Sequence, residues 1–207
     1  KLALTDVLTG LPNRRSALTQ LANEWNDAVA QNKSLACLML DADHFKDVND
    51  EHGHDAGDEV LRHLTRKLRE TLRSNDRVYR MGGDEFMVIL PDTSSNGVRR
   101  VAENLRAAVA SLQVPLGHSS WEVSISIGAA SRDPAMNDYA ELIKAADAAL
   151  YTAKRAGRNR IHLGTTRTEA ASTELSTPHT KTMTPVLNVI FDAITGASTL
   201  NERLKRL

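Results

Sequence analysis

Apolar residues recur along the chain in two distinct periods, and the alternation between those periods outlines the fold. Ala17, Leu18, Leu21, Ala22, Trp25, Ala28 and Val29 fall at helical spacing and predict an amphipathic helix ending near residue 31, with Pro12 in its first turn. Residues 35–40 form an unbroken apolar run, the mark of a strand covered on both faces. The run gives way at Asp41-Ala42-Asp43 to a polar stretch, residues 44–55, that reads as a short helix and loop. Asp55 is placed to cap a helix carrying Val60, Leu61, Leu64, Leu68 and Leu72 on one face. Two short strand-forming runs around Gly82-Gly83 predict a hairpin over residues 77–90. A turn follows over 91–97. Val98, Val101, Leu105, Ala108 and Leu112 then mark another helix, Val123, Ile125 and Ile127 alternate with Ser124 and Ser126 as a strand with two different faces over 121–130, and an Ala-rich helix occupies 138–156 before a last short strand at 161–163. Helices and strands alternate except at the central hairpin. That order predicts an α+β fold: a mixed central sheet flanked by helices, of the split βαβ type.

Residues 165–185 break the pattern. They are rich in Thr, Ser, Ala and Glu with few apolar positions, and they read as a linker after a domain spanning 1–164. Residues 186–207 regain helical spacing and form an amphipathic segment of unassigned role.

Composition adds little but excludes much. The formal net charge is zero, which gives no electrostatic footprint for nucleic acid or an anionic membrane. The single cysteine, Cys37, lies inside an apolar run, where it serves packing and suits a reducing compartment. No apolar run reaches the length of a membrane span. Because residue 1 is lysine, the chain is read as a fragment of a longer protein with a cytoplasmic location.

The candidate chemistry is acidic. A strand running into Asp41 delivers a carboxylate. If the 77–90 hairpin pairs beside that strand, Asp84 and Glu85 join it, and several carboxylates together require a cation. Oxygen-only ligands suit Mg²⁺, with Mn²⁺ as an alternative, and Mg²⁺ bound by few carboxylates implies substrate phosphates. His44 is nearby but reads better as a surface or structural residue. Lys46, Lys154 and Arg158 become candidates to neutralise phosphate oxygens. The pair Lys154 and Arg158, four apart at the end of the last predicted helix, would equally suit the negative end of that helix. Asn49 and Asp58 have the hydrogen-bonding groups to read guanine, though an acid such as Asp58 is also ordinary in a first helical turn.

Six separate segments, in order, resemble one family. They are Asp6-Val7-Leu8-Thr9-Gly10-Leu11-Pro12-Asn13-Arg14, Asp41-Ala42-Asp43-His44-Phe45-Lys46-Asp47-Val48-Asn49-Asp50, Gly53-His54-Asp55-Ala56-Gly57-Asp58, Gly82-Gly83-Asp84-Glu85-Phe86, Ser126-Ile127-Gly128, and the stretch from Ala148 through Lys154 to Gly157-Arg158-Asn159. The chain is identified by this resemblance with the GGDEF domain, the diguanylate cyclase family, over about residues 4–164. The resemblance implies a fold related to nucleotide cyclases and polymerase palm domains. It implies condensation of two GTP into cyclic di-GMP by two facing domains, each holding one nucleotide. It further implies Asp41, Glu85 and the Ala42 carbonyl as metal contacts, with Asp84 near the metal and the attacking hydroxyl. Backbone amides around His44, Phe45 and Lys46 would hold the terminal phosphates, Asn49 and Asp58 would read guanine, and Lys154 and Arg158 would clamp phosphate. Gly82 and Gly83 would make room for the nucleotide. Arg73 and Asp76, spaced before the Gly-Gly pair as in the family's inhibitory site, imply inhibition by bound product. A sensor or receiver region is expected before Lys1. Met81 and Val7 depart from the aromatic and proline common at those positions. The intact acids at the hairpin weigh against a non-catalytic module that only senses cyclic di-GMP or GTP. Asp58 weighs against a synthase of mixed dinucleotides.

Overall fold

The computed structural model describes residues 4–164, and the expectations for residues 165–207 lie outside the described residues. The elements run α1 (Arg14–Ala30), β1 (Leu35–Ala42), α2 (Phe45–His52), α3 (His54–Thr71), β2 (Arg77–Gly82), β3 (Glu85–Pro91), α4 (Ser95–Ala110), β4 (Gln113–Leu116), β5 (Ser119–Glu122), β6 (Ile125–Ser131), α5 (Tyr139–Arg155) and β7 (Ile161–Leu163). Five strands form one sheet in the order β2-β3-β1-β6-β7. Every pairing is antiparallel except the parallel edge pair β6–β7. The predicted α+β class and mixed sheet are what is observed.

The sheet is covered on both faces, which is why β1 reads as a continuous apolar run. Ala36, Leu38, Leu40 and Ala42 of β1 join Phe86, Val88 and Leu90 of β3 and Ile125, Ile127 and Ala129 of β6 in one core. Val60, Leu61, Leu64 and Leu68 of α3 and Val98, Ala102, Leu105 and Val109 of α4 close over it. Alternation along a strand sends Cys37, Met39 and Asp41 to the other face. There α1 and α5 pack, burying Leu21 and Trp25, and Leu142, Ile143, Ala146, Leu150 and Ala153. Each fully buried Leu or Ile in these layers contributes about 1.5–3 kcal/mol. Burial pushes the Cys37 thiol up to about 12, consistent with a packing role.

Four local expectations are corrected. First, α1 starts at Arg14, not at Pro12. Asn13 caps it by accepting from the Ser16 amide, while Pro12 bridges back to Thr5. Second, α3 begins at His54 after Gly53, so Asp55 sits in its first turn rather than at its cap. Gly53, at φ 86, is the single residue that turns the chain from α2 into α3, a backbone state that a side-chain-bearing residue resists. Third, residues 121–130 are not one strand. β4 and β5 pair as a separate two-stranded ribbon turning at Gly117, and β6 starts at Ile125. Both faces of β6 are buried; Ser126 is fully buried, its hydroxyl donating to the Asp43 carboxylate. Fourth, α5 ends at Arg155, so Arg158 lies beyond the helix, in a turn.

Among the described residues, no helix is long and apolar enough to cross a membrane.

Candidate active site

The β1–β3 pairing builds the centre of the site. Its register sets Asp41 directly opposite Glu85, so both side chains leave the same face of the sheet. The β2–β3 hairpin turns through Gly83 and Asp84, with Gly82 at φ 146 and Gly83 at φ 53. The register shifts between Arg80 and Gly82, a bulge that re-aims the tip. The Asp84 carbonyl accepts from the Ala42 amide at 3.2 Å, fastening the tip to the end of β1. Asp84 and Glu85 are thus brought to Asp41, the arrangement expected if the hairpin paired beside β1.

The carboxylates load one another. Burial pushes Glu85 up to about 7; Asp41, Asp84 and Asp147 add to the rise and Lys154 opposes it. Burial and Asp84 push Asp41 up to about 6 against the pull of Lys154. Lys154 sits in the last turn of α5, its Nζ 2.5 Å from Asp41 Oδ2. Lys154 partly compensates the buried charge of both acids. Asp41 and Glu85 are two carboxylates with the Ala42 backbone close by. That donor set fits Mg²⁺, which takes one or two protein carboxylates and fills its octahedron with water and phosphate oxygens. Among the described residues, no group of three acidic, His or Cys side chains forms a metal cage by itself.

The nucleotide-facing candidates lie on α2 and α3. His44 adopts φ 60 and leads into α2, its side chain exposed and paired with Asp47 at 2.9 Å. A helix start leaves its first amides without intrahelical partners, so Phe45 and Lys46 carry backbone donors suited to phosphate. The Lys46 ammonium itself pairs with Asp50 at the surface. Asn49 lies against Gly57: a β-carbon there would stand 2.1 Å from Asn49 Oδ1 and 3.2 Å from the Phe45 ring. Gly57 thereby keeps Asn49 close to α3. Asp58, the next residue of that helix, is 3.9 Å from Arg62, both side chains half-exposed. Gly57→Ala is expected to displace Asn49 and weaken guanine nucleotide binding about tenfold with little change in Tm. Calorimetry with GTP and with ATP would check this, a loss confined to the guanine nucleotide being the expected result.

Several contributors were not singled out from sequence. Arg80 donates from Nε and Nη2 to the Gly83 carbonyl at 3.0 and 2.7 Å, and from Nη1 to Asp6 at 2.9 Å. Thr9 donates to the same Asp6 oxygen, so the turn before α1 is latched to the hairpin tip. Burial alone would raise Asp6, but the Thr9 and Arg80 hydrogen bonds outweigh it and hold it below its ordinary value. Asp147 is buried on α5, seven residues before Lys154 and hence on its side of the helix, where its charge is felt by Glu85. An acid inside an Ala-rich apolar helix is the signal that could have found it. Gly128 carries α5: a β-carbon there would stand 2.0 Å from the Leu150 amide nitrogen.

Arg73 and Asp76 lie apart, in the turn between α3 and β2. Arg73 Nη2 and Nε reach Asp76 at 2.9 and 3.2 Å, and Nη2 also donates to Thr93 at 2.9 Å. The Asp76 side chain is 1% exposed and that of Arg73 57%, so the acid acts from within as a brace and the guanidinium faces out. A cavity of about 380 Å³ opens there, lined by Arg69, Arg73, Asp76, Arg77 and Tyr79.

Comparison with known proteins identifies the family and fold. The family model described as "Diguanylate cyclase, GGDEF domain" matches residues 3–160. The chain is 41% identical over 158 residues to the probable diguanylate cyclase DgcC of Escherichia coli K12, covering 76% of this chain and 42% of that protein. It is 42% identical over 159 residues to the diguanylate cyclase DosC of the same strain, covering 76% and 34%. It therefore spans less than half the length of these curated relatives. The crystal structure of the GGDEF domain of DgcB from Caulobacter crescentus in complex with c-di-GMP superposes with a TM-score of 0.75 at 32% identity, covering 79% of this chain and 97% of that one. Fold, hairpin and sequence agree, and the chain belongs to the GGDEF family of diguanylate cyclase domains.

Proposed function

We propose that this domain binds one GTP at the junction of β1, α2 and the β2–β3 hairpin, and that two such domains facing each other condense two GTP into cyclic di-GMP. The observation that carries the reading is the register that sets Asp41 opposite Glu85, with Lys154 on Asp41 and both acids raised. In each half-reaction the 3′-hydroxyl of one nucleotide attacks the α-phosphorus of the other. A P–O bond forms, the bond to the bridging oxygen of the β-phosphate breaks, and pyrophosphate leaves. Two such steps close the ring.

Asp41, Glu85 and the Ala42 carbonyl would hold Mg²⁺, which would supply charge neutralisation at phosphate and lower the pKa of the attacking hydroxyl. The chain's own groups do the rest. The amides at the start of α2 hold terminal phosphates, Lys154 and Arg158 offset the developing negative charge, Asp84 lies by the hydroxyl, and Asn49 and Asp58 select guanine. Gly82 and Gly83 let the nucleotide approach the backbone. Since one domain carries one half-site, the rate of product formation from GTP and Mg²⁺ should rise with the square of domain concentration while dimers are sparse. A rate strictly proportional to concentration in a monomeric sample would refute the two-domain reading. We place control of this pairing in further regions of a longer cytoplasmic signalling protein, such as a sensor or receiver.

We also assign inhibition by cyclic di-GMP to the Arg73 cavity, where Arg69 and Arg77 add cationic donors for a second phosphate. Product bridging two domains there would hold the half-sites apart. Arg73→Ala is expected to raise the inhibitory product concentration at least about tenfold with the KM for GTP nearly unchanged. Equal inhibition in the variant would remove the assignment.

A further inference from the structure

Asp43 lies two residues beyond Asp41, is 4% exposed, and binds neither the cation nor the base in the scheme above. A buried carboxylate is tolerated only where donors satisfy it. Here three neutral donors do. Ser126 Oγ reaches Oδ1 at 2.6 Å, while Ser124 Oγ and the backbone amide of Asn159 reach Oδ2 at 2.8 and 2.9 Å. The Asp43 amide in turn donates to the Ser124 carbonyl at 2.9 Å. One side chain therefore ties the β1–α2 connection, the entry to β6 and the turn after α5 to one another.

That turn carries Arg158. Gly157, Arg158 and Asn159 adopt φ of 113, 59 and 42 in succession. Glycine accepts this readily, but two consecutive residues with side chains in the left-handed region persist only where their surroundings hold them. Arg158 N donates to Ala153 O at 3.2 Å, Asn159 N to Asp43, and Arg106 Nη1 to Asn159 Oδ1 at 3.0 Å; the Arg160 carbonyl accepts from the Ile127 amide at 2.9 Å. The Asp43 bond is the one at the middle of the turn, on the residue next to Arg158. Backbone conformation sets where the Arg158 β-carbon points, so whatever holds Asn159 also aims the guanidinium.

We propose that Asp43 is a positioning residue: through the Asn159 amide it holds Arg158 in the left-handed backbone that presents its side chain to the nucleotide phosphates. The inference rests on the reading of Arg158 as a phosphate clamp, and its test separates the two. Affinity for a GTP analogue with a methylene between the α- and β-phosphorus is measured with Mg²⁺ for wild type, Asp43→Ala, Arg158→Ala and the double variant. Asp43→Ala is expected to weaken binding on the order of tenfold, and to add less than about twofold in the Arg158→Ala background. Asp43→Asn keeps an acceptor for the Asn159 amide while the serine hydroxyls reorient, and restores most of the affinity. Ser126→Ala removes one donor to Asp43 but not the Asn159 bond; it lowers Tm and leaves affinity within about twofold. If Asp43→Ala does not fold, Asp43→Ser, whose oxygen is too short to reach the Asn159 amide, replaces it in the cycle. Additive losses would overturn the inference and leave the clamp standing. Wild-type affinity in Arg158→Ala would overturn the clamp, and the inference with it.

Discussion

Glu85→Gln is expected to lower product formation by about 10²–10³-fold or more, and yet to stabilise the metal-free domain above pH 7. Both halves follow from one position. Glu85 heads β3 opposite Asp41, so the neutral amide removes the proposed cation ligand while keeping shape and packing. The stability half follows from the carboxyl's raised pKa, about 7 in the fold against 4.5 for the free group. Between these values the folded protein holds a proton that the unfolded chain has released. Stability therefore falls as pH rises from 4.5 to about 7, and the loss is complete above that. Gln carries no charge to bury and escapes the loss. Thermal unfolding of wild type and variant, without divalent ions, should diverge across this window, with the variant several degrees higher at its alkaline end. Adding Mg²⁺ should narrow the gap by stabilising only the wild type. An active variant, or coincident melting curves from pH 4.5 to beyond pH 7, would remove the acid from the role assigned to it.

Gly128→Ala is expected to be the most destabilising single change in the central sheet. Gly128 of β6 pairs with Met39 of β1, and α5 lies so close over it that an added β-carbon would stand 2.0 Å from Leu150 N, 2.1 Å from Ala146 O and 2.7 Å from Leu150 Cα. All three neighbours are backbone, so no rotamer change relieves the clash; the whole helix must move. Overpacking against flexible side chains costs about 1–3 kcal/mol, and a backbone obstruction belongs at or beyond the upper end of that range. The displaced helix carries Lys154 and Asp147, so the change should also separate Lys154 from Asp41. Urea unfolding, or soluble yield where the variant does not fold, measures the first effect, and GTP affinity the second. A Tm within about 2 °C of wild type would show that α5 is not seated where described.

Much of this was readable along the chain. The 35–40 apolar run, the 3.6-residue spacing of Val60, Leu61, Leu64 and Leu68, and the Gly-Gly pair between strand formers each announce a local structure that needs only near neighbours. The acids Asp41, Asp84 and Glu85 were legible because they interrupt those patterns abruptly. The misread places have a common cause. Ser124 and Ser126 marked the second face of the strand, but alternation cannot tell water from a buried carboxylate, and Asp43 supplies the polar partner from 81 and 83 residues away. The end of β5 was merged into β6 because Trp121 and Val123 continue the alternation of Ile125 and Ile127 across the break between the two strands. Asp55 took the capping role in sequence since glycine has no side chain to advertise that Gly53 makes the turn.

The order of elements, their faces and the family's segments are thus written in local patterns of burial and turn chemistry, which act over a few residues. What the folded chain alone decides is pairing. The register that puts Asp41 opposite Glu85, the reach of Lys154 from α5 to Asp41, the Asp6–Arg80–Gly83 latch and the hold of Asp43 on Asn159 all join residues far apart in sequence. Charges raised by burial exist only once those contacts have excluded water. The acids could be named from the chain, but their raised pKa values are set by the sheet and helices that enclose them.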